Sequence, residues 1–195
     1  LANGDNGGLA GNYSLADTTG LNATITPKAL TIGAPTGITK TYDGSDAVTN
    51  VTMGTLSGFV GDETVTAGIT SGTYGDKNAG SNKSVTVNYS LTDGTGGGKA
   101  ANYSLASSSV TTGAITPKAL TITGTTVSGK TYDGTTDASV TAGTLSGLVG
   151  TEKLGVTAAG TFSSKDAGAR TVTAAYTLAN GDNGGLAGNY SLADT

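Results

Sequence analysis

The chain has 195 residues, with 10 Lys plus Arg against 14 Asp plus Glu and a net charge of -4, so no basic field exists to draw a nucleic acid. It contains no Cys, His or Trp, which excludes a disulfide framework, a thiolate or imidazole metal site, and the common Ser-His and Cys-His nucleophile pairs. What remains, with 33 Gly, 3 Pro and only 12% charged residues, favours strands and turns over helices.

In chain order, residues 1–27 read as the closing part of a repeat plus a linker strand. Asn12-Tyr13-Ser14-Leu15 lies within it, and Ile25-Thr26-Pro27-Lys28 leads out, with Pro27 holding the backbone extended. Leu30 and Ile32 begin the strands of a repeat over 28–117. Tyr42-Asp43-Gly44 is a turn in which the Asp oxygen caps backbone N–H groups and the Gly supplies a positive φ. Thr64-Val65-Thr66 gives another strand, and Lys77-Asn78-Ala79-Gly80 turns into the alternation Val85, Val87, Tyr89 and Leu91, the pattern of a strand with one buried face. A second repeat over 118–195 follows the same course, through the run Ser139–Leu145 and the alternation Val172, Ala174, Tyr176 and Leu178. The Gly-rich step Gly94–Gly98 differs from its counterpart around Gly181–Gly188, which predicts a variable hairpin. About seven short strands per unit are expected, and no substantial helix, because no segment keeps apolar residues at helical spacing.

The repetition is literal over long stretches. Ile25–Ile32 returns as Ile115–Ile122 and Lys40–Gly44 as Lys130–Gly134, both 90 residues on. Asn12-Tyr13-Ser14-Leu15 recurs at Asn102–Leu105 and again at Asn189–Leu192, while Leu1–Thr18 is identical to Leu178–Thr195. A period near 90 residues fits a small β-domain rather than one coil of a solenoid. The opening at Leu1, without the basic and apolar stretches of a secretory signal, reads as an interior piece cut out of phase. The fold class predicted is all-β, as tandem immunoglobulin-like antiparallel β-sandwich repeats, with small β-grasp-like repeats as the alternative.

These motifs, in this order, carry a resemblance. Tyr42-Asp43-Gly44 with Leu56-Ser57-Gly58, Tyr132-Asp133-Gly134 with Leu145-Ser146-Gly147, and the closing Asn102-Tyr103 and Asn189-Tyr190 resemble the YDG and MBG repeat domains of large secreted bacterial adhesins of the filamentous-haemagglutinin-like type. The resemblance covers essentially the whole chain. It implies an extracellular or cell-surface location, a stalk or biofilm-matrix fibre, and no catalytic residues.

Each singled-out residue has a plain reading beside a functional one. Tyr42, Tyr132, Tyr13, Tyr103 and Tyr190 occupy repeated positions, which suits core or turn anchors; stacking on surface carbohydrate or matrix polysaccharide is the other use. Asn3-Gly4-Asp5-Asn6 and Asp43 with Asp46 offer hard oxygens to calcium, yet no stretch has the spacing of a known calcium loop, so no cofactor or metal is expected. Lys28 and Lys118 with Asn102 and Asn189 raise an intramolecular amide bond. Pairs such as Thr64-Val65-Thr66 raise an ice-binding face, which strand propensity explains equally. The expectation is a non-catalytic structural protein with no membrane span in this segment. The stray segment Leu1–Ile25 is expected either to complete another copy by strand addition or end-to-end packing, or to stay tied to the next unit along the chain.

Overall fold

The computed structural model describes residues 1–194. The architecture is all-β: fifteen strands and three short 3-10 turns, Ala10–Asn12, Ala100–Asn102 and Ala187–Asn189, with no α-helix among the described residues. No helix among them is long and apolar enough to cross a membrane.

The first unit holds seven strands: β1 (Lys28–Ile32), β2 (Thr39–Thr41), β3 (Leu56–Ser57), β4 (Val65–Tyr74), β5 (Gly80–Asp93), β6 (Tyr103–Leu105) and β7 (Ser108–Thr116). They form a small sheet, β3-β1-β6, and a larger one, β2-β7-β5-β4. In β5 the alternation is as expected, with Val85 and Val87 buried between exposed Ser84, Thr86 and Asn88. Strand direction is less simple than the sequence suggests. The pairs β1–β6 and β2–β7 run parallel, which corrects the wholly antiparallel expectation. Alternation fixes which face is buried but is blind to direction, and the long chain between β1 and β6 is ample for the crossover that a parallel pair requires.

The second unit comprises β8 (Lys118–Ala119), β9 (Thr121–Thr123), β10 (Thr126–Ser128), β11 (Asp137–Thr141), β12 (Thr144–Ser146), β13 (Leu154–Phe162), β14 (Val172–Asn180) and β15 (Tyr190–Ser191). Here the counterpart of β1 is split into β8, parallel to β15, and β9, antiparallel to β12. The run Ser139–Leu145 is not one strand: β11 stays with β10 and β13, while β12 crosses to β9. The larger sheet has the order β10-β11-β13-β14. Its β14 edge, the place that β7 takes in the first unit, carries no partner strand among the described residues.

The two hairpins expected to differ have one backbone plan. Gly94 N–H donates to the Gly98 carbonyl at 3.1 Å and Gly181 N–H to the Gly185 carbonyl at 3.0 Å; Gly4 and Gly8 repeat the bond at 2.9 Å. Asn183, with φ 56°, stands where Gly96 has φ 65°, and Asn tolerates that left-handed region better than most residues. The letters vary while the loop does not.

Two apolar clusters hold the molecule together. Leu30, Val65 and Tyr103 join the sheets at the start of the first unit, with Leu56, Phe59, Leu91 and Leu105 against them. The larger cluster contains Ile38, Tyr42, Tyr74, Val85, Val87 and Ile115 from the first unit, and Leu120 and Tyr190 from the second. The core is therefore continuous across the unit boundary. Pro117 lies between strands of adjoining units, and no flexible linker separates them. Residues 1–27 contain no strand and take no place in a sheet among the described residues.

Candidate functional site

The most elaborate polar arrangement lies where the units meet. Tyr42 is carried just past β2, and its N–H donates to the Thr116 carbonyl at 2.9 Å, which aims the ring out of the first unit. On the second unit the turn Val149-Gly150-Thr151-Glu152, closed by a 3.1 Å bond from Glu152 N–H to the Val149 carbonyl, presents a carboxylate. The Tyr42 hydroxyl donates to Glu152 Oε1 at 2.7 Å, and the Tyr190 hydroxyl donates to Oε2 at 2.6 Å. Tyr190 also accepts the Val149 N–H at 3.0 Å. The two rings meet edge to face, 5.4 Å between centroids at 78°, a favoured geometry for aromatic pairs.

Burial and the neighbouring carboxylate make both phenols reluctant to ionise. Tyr42 is pushed up from 10.0 to about 12, first by desolvation, then by its hydrogen bond to Glu152 and that group's charge. Tyr190 moves the same way for the same leading reason.

Asn189 closes the joint from the side. Its Oδ1 accepts the Ala79 N–H at 2.8 Å, and its Nδ2 donates to Asn78 Oδ1 at 3.1 Å. It is fully buried, so both ends of the amide need these partners. Gly44 completes the contact: it has φ 82°, and a side chain there would meet Val149 Cγ1 at 2.9 Å.

Asp43 works within its own turn. Its Oδ1 accepts from Lys40 Nζ at 2.7 Å and from Ser45 N–H at 2.9 Å, while Lys40 also donates to the Ser45 and Ala47 carbonyls. Asp133 repeats this with Lys130 and Thr135. The Thr135 N–H, then Lys130, hold the Asp133 carboxyl down at about 2.

Equivalent residues do not share equivalent surroundings. Tyr42 is 2% exposed, whereas Tyr132 is 63% exposed. Tyr103 keeps the local half of the arrangement, donating to Glu63 Oε2 at 2.6 Å and accepting the Val60 N–H at 3.1 Å. No counterpart of Tyr42 stands beside it among the described residues, and Glu63, Tyr103, Val60, Ile25, Pro27 and Lys28 line an open hollow. Asn102, Asn12 and Tyr13 are exposed. The Lys28 ammonium donates to the Phe59 carbonyl at 3.4 Å.

Sequence reasoning selected the tyrosines and asparagines but missed Glu63, Glu152 and Asn78. A signal was present, since Val60-Gly61-Asp62-Glu63 recurs as Val149-Gly150-Thr151-Glu152. Both oxygens of the Glu152 carboxylate are engaged by phenols.

The YDG domain family matches the chain twice, over residues 26–112 and 116–195. No curated protein matches it. No solved structure matches it either.

Proposed function

We propose, for a chain that belongs to the YDG domain family, a non-catalytic structural role as a repeat segment in the stalk or matrix fibre of an extracellular bacterial adhesin of the filamentous-haemagglutinin-like type. One observation carries the reading: Tyr42 and Tyr190, from successive units, share the Glu152 carboxylate inside a continuous apolar core. A hydrogen bond to a charged acceptor contributes about 1.5–3 kcal/mol net, and the edge-to-face ring pair about 0.5–1.5 kcal/mol more. Such a joint suits a spacer, because fixed orientation between units turns copy number into reach. Each unit is read as an immunoglobulin-like sandwich whose small sheet faces back onto the preceding unit and whose larger sheet faces forward.

The test has two arms. An antibody to the chain should label intact cells of the source bacterium, and solution scattering should give one elongated particle with a sharp inter-unit distance that Glu152→Ala broadens. Labelling only after lysis would remove the extracellular role, and two freely turning lobes in the unaltered protein would remove the spacer role.

A further inference from the structure

The composition leaves tyrosine as the principal target of one-electron oxidation. The chain has no Cys, Trp or His and a single Met, the side chains that ordinarily yield to an oxidant first. Eight tyrosines remain, and they stand in unlike surroundings. Tyr13 and Tyr132 are exposed. Tyr74 is buried with Lys40 Nζ 5.6 Å from its ring centroid, and a cation over the ring opposes removal of an electron. Tyr42, Tyr103 and Tyr190 each donate the phenol to a carboxylate.

That acceptor matters because a phenol stripped of an electron becomes a strong acid, so oxidation is easiest where a base already holds the proton. Glu152 can take it from either ring along a bond already formed, 2.7 Å from Tyr42 and 2.6 Å from Tyr190. Prior ionisation is not the route at neutral pH, since Tyr42 is pushed up to about 12. The radical left behind carries spin on the ring carbons ortho to its oxygen, and its fate is set by its neighbour. Beside Tyr103 that neighbour is Phe59, with 6.1 Å between centroids at 79°, and a ring without a hydroxyl forms no second phenoxyl. Beside Tyr42 it is Tyr190, at 5.4 Å and 78°. Both hydroxyls converge on one carboxylate, so the phenolic ends of the rings, which bear the ortho carbons, are the ends that meet. The rings of an ortho-linked biaryl are themselves twisted, so the crossed planes persist while the rings slide edge to edge about Glu152.

We propose that Tyr42 and Tyr190 form an oxidative cross-linking site, at which a peroxide-fed one-electron oxidant of the haem peroxidase class joins successive units by a carbon–carbon bond between the two rings. Each phenol gives one electron to the oxidant and its hydroxyl proton to Glu152, which is half-buried and passes each proton in turn to water. The two ortho carbons bond, and the hydrogen on each then moves to the oxygen of its own ring, restoring both phenols. One peroxide takes up the two electrons and two protons, its oxygen–oxygen bond breaks, and two waters form. The protein loses two hydrogen atoms in all. The rings are 2% and 5% exposed, so the oxidant acts by electron transfer from outside, and other radicals are kept from the pair. Contact before oxidation favours this partner over any met by diffusion. The product ties positions 42 and 190 covalently across the unit boundary and, like a disulfide, restricts the unfolded chain between them. The inference goes beyond the spacer reading and stands without it.

The test is brief photochemical oxidation by ruthenium tris-bipyridyl with persulfate, which takes the place of the peroxide and ends as two sulfates. The chain used carries Tyr13→Phe and Tyr132→Phe, removing two exposed phenols that join chains to one another. Its intact mass should fall by two hydrogen atoms, its melting midpoint should rise, and peptide mapping should place the link between Tyr42 and Tyr190. Tyr190→Phe should abolish that link. Glu152→Gln keeps a side chain that accepts a hydrogen bond but is no base, and should slow the link by roughly tenfold or more. Melting curves taken before oxidation check that these variants fold. Oxidation in urea needs no further variant: with the joint undone, links should scatter over all the tyrosines that are left. Oxidation that spares this pair in the folded chain, an equal yield of the Tyr42–Tyr190 link in urea, or a link that a folded Glu152→Gln forms at the unaltered rate would each overturn the inference.

Discussion

The Tyr42 hydroxyl donates to the Glu152 carboxylate at 2.7 Å across 110 positions of sequence, and this one bond joins the motif turn of one repeat to the Val-Gly-x-Glu turn of the next. Its strength is open to a double-mutant cycle. Tyr42→Phe and Glu152→Gln should each cost about 1–3 kcal/mol in urea unfolding. The double variant should lose clearly less than the sum, since both changes remove the same contact. Strictly additive losses would show that the two groups do not depend on each other.

The same bond sets an alkaline limit. The folded Tyr42 is raised from 10.0 to about 12, so the native state holds a proton that the unfolded chain releases. Its stabilising contribution is whole below about pH 10 and disappears as pH climbs through about 12. Comparing the protein with Tyr42→Phe cancels the titration of lysines. The stability difference between the two should stay flat from neutrality to pH ~10 and shrink above it; a difference that grows with pH contradicts the arrangement.

Two isoleucines that each open an identical Ile-Thr-Pro-Lys stretch should respond differently to truncation. Ile115→Ala opens a hole among Tyr42, Tyr74 and Val85 and should cost about 2–5 kcal/mol. Ile25→Ala, at a side chain that is 98% exposed, should stay within about 0.5 kcal/mol. Equal losses would mean that Ile25 is buried in the lone chain.

The glycines of the two Tyr-Asp-Gly motifs offer a further matched pair. Gly44 and Gly134 have φ 82° and 77°, so alanine at either meets the same left-handed penalty of about 1–2 kcal/mol. Only at Gly44 does the new methyl also strike Val149; around Gly134 nothing lies within 4 Å. Thermal melts should therefore show Gly44→Ala as the more damaging, and parity would argue against close approach of the units.

Much of the fold is legible because alternation reports burial directly. Val85 and Val87 read as inward residues and are buried, and Leu30 and Ile32 lie in a strand. Direction is not legible, since a parallel partner such as β6 for β1 leaves no mark on either strand's own pattern. The joint is hidden for a different reason. Tyr42 and Tyr132 sit in the same five letters, yet Tyr42 is buried by Glu152 and Tyr190 of another unit. Burial there depends on the neighbouring unit in space, which a local motif does not encode. Glu152 itself is a single carboxylate on a turn, visible only by laying the repeats over one another.

The parallel pairing of β2 with β7 matters when the chain is pulled. A unit is entered ahead of β2 and left after β7, so tension on its two ends drags these strands lengthwise in opposite directions. The pairs Thr39–Ala114, Lys40–Ile115 and Thr41–Thr116 then bear the load together, in shear, instead of opening one after another like a zip. Tyr42 and Glu152 sit at the end of that same path, so a force passing to the next unit crosses a clamp before it meets a loop. Under flow, rupture is set by the rate of unfolding rather than by equilibrium stability, and simultaneous loading is the geometry that keeps that rate low.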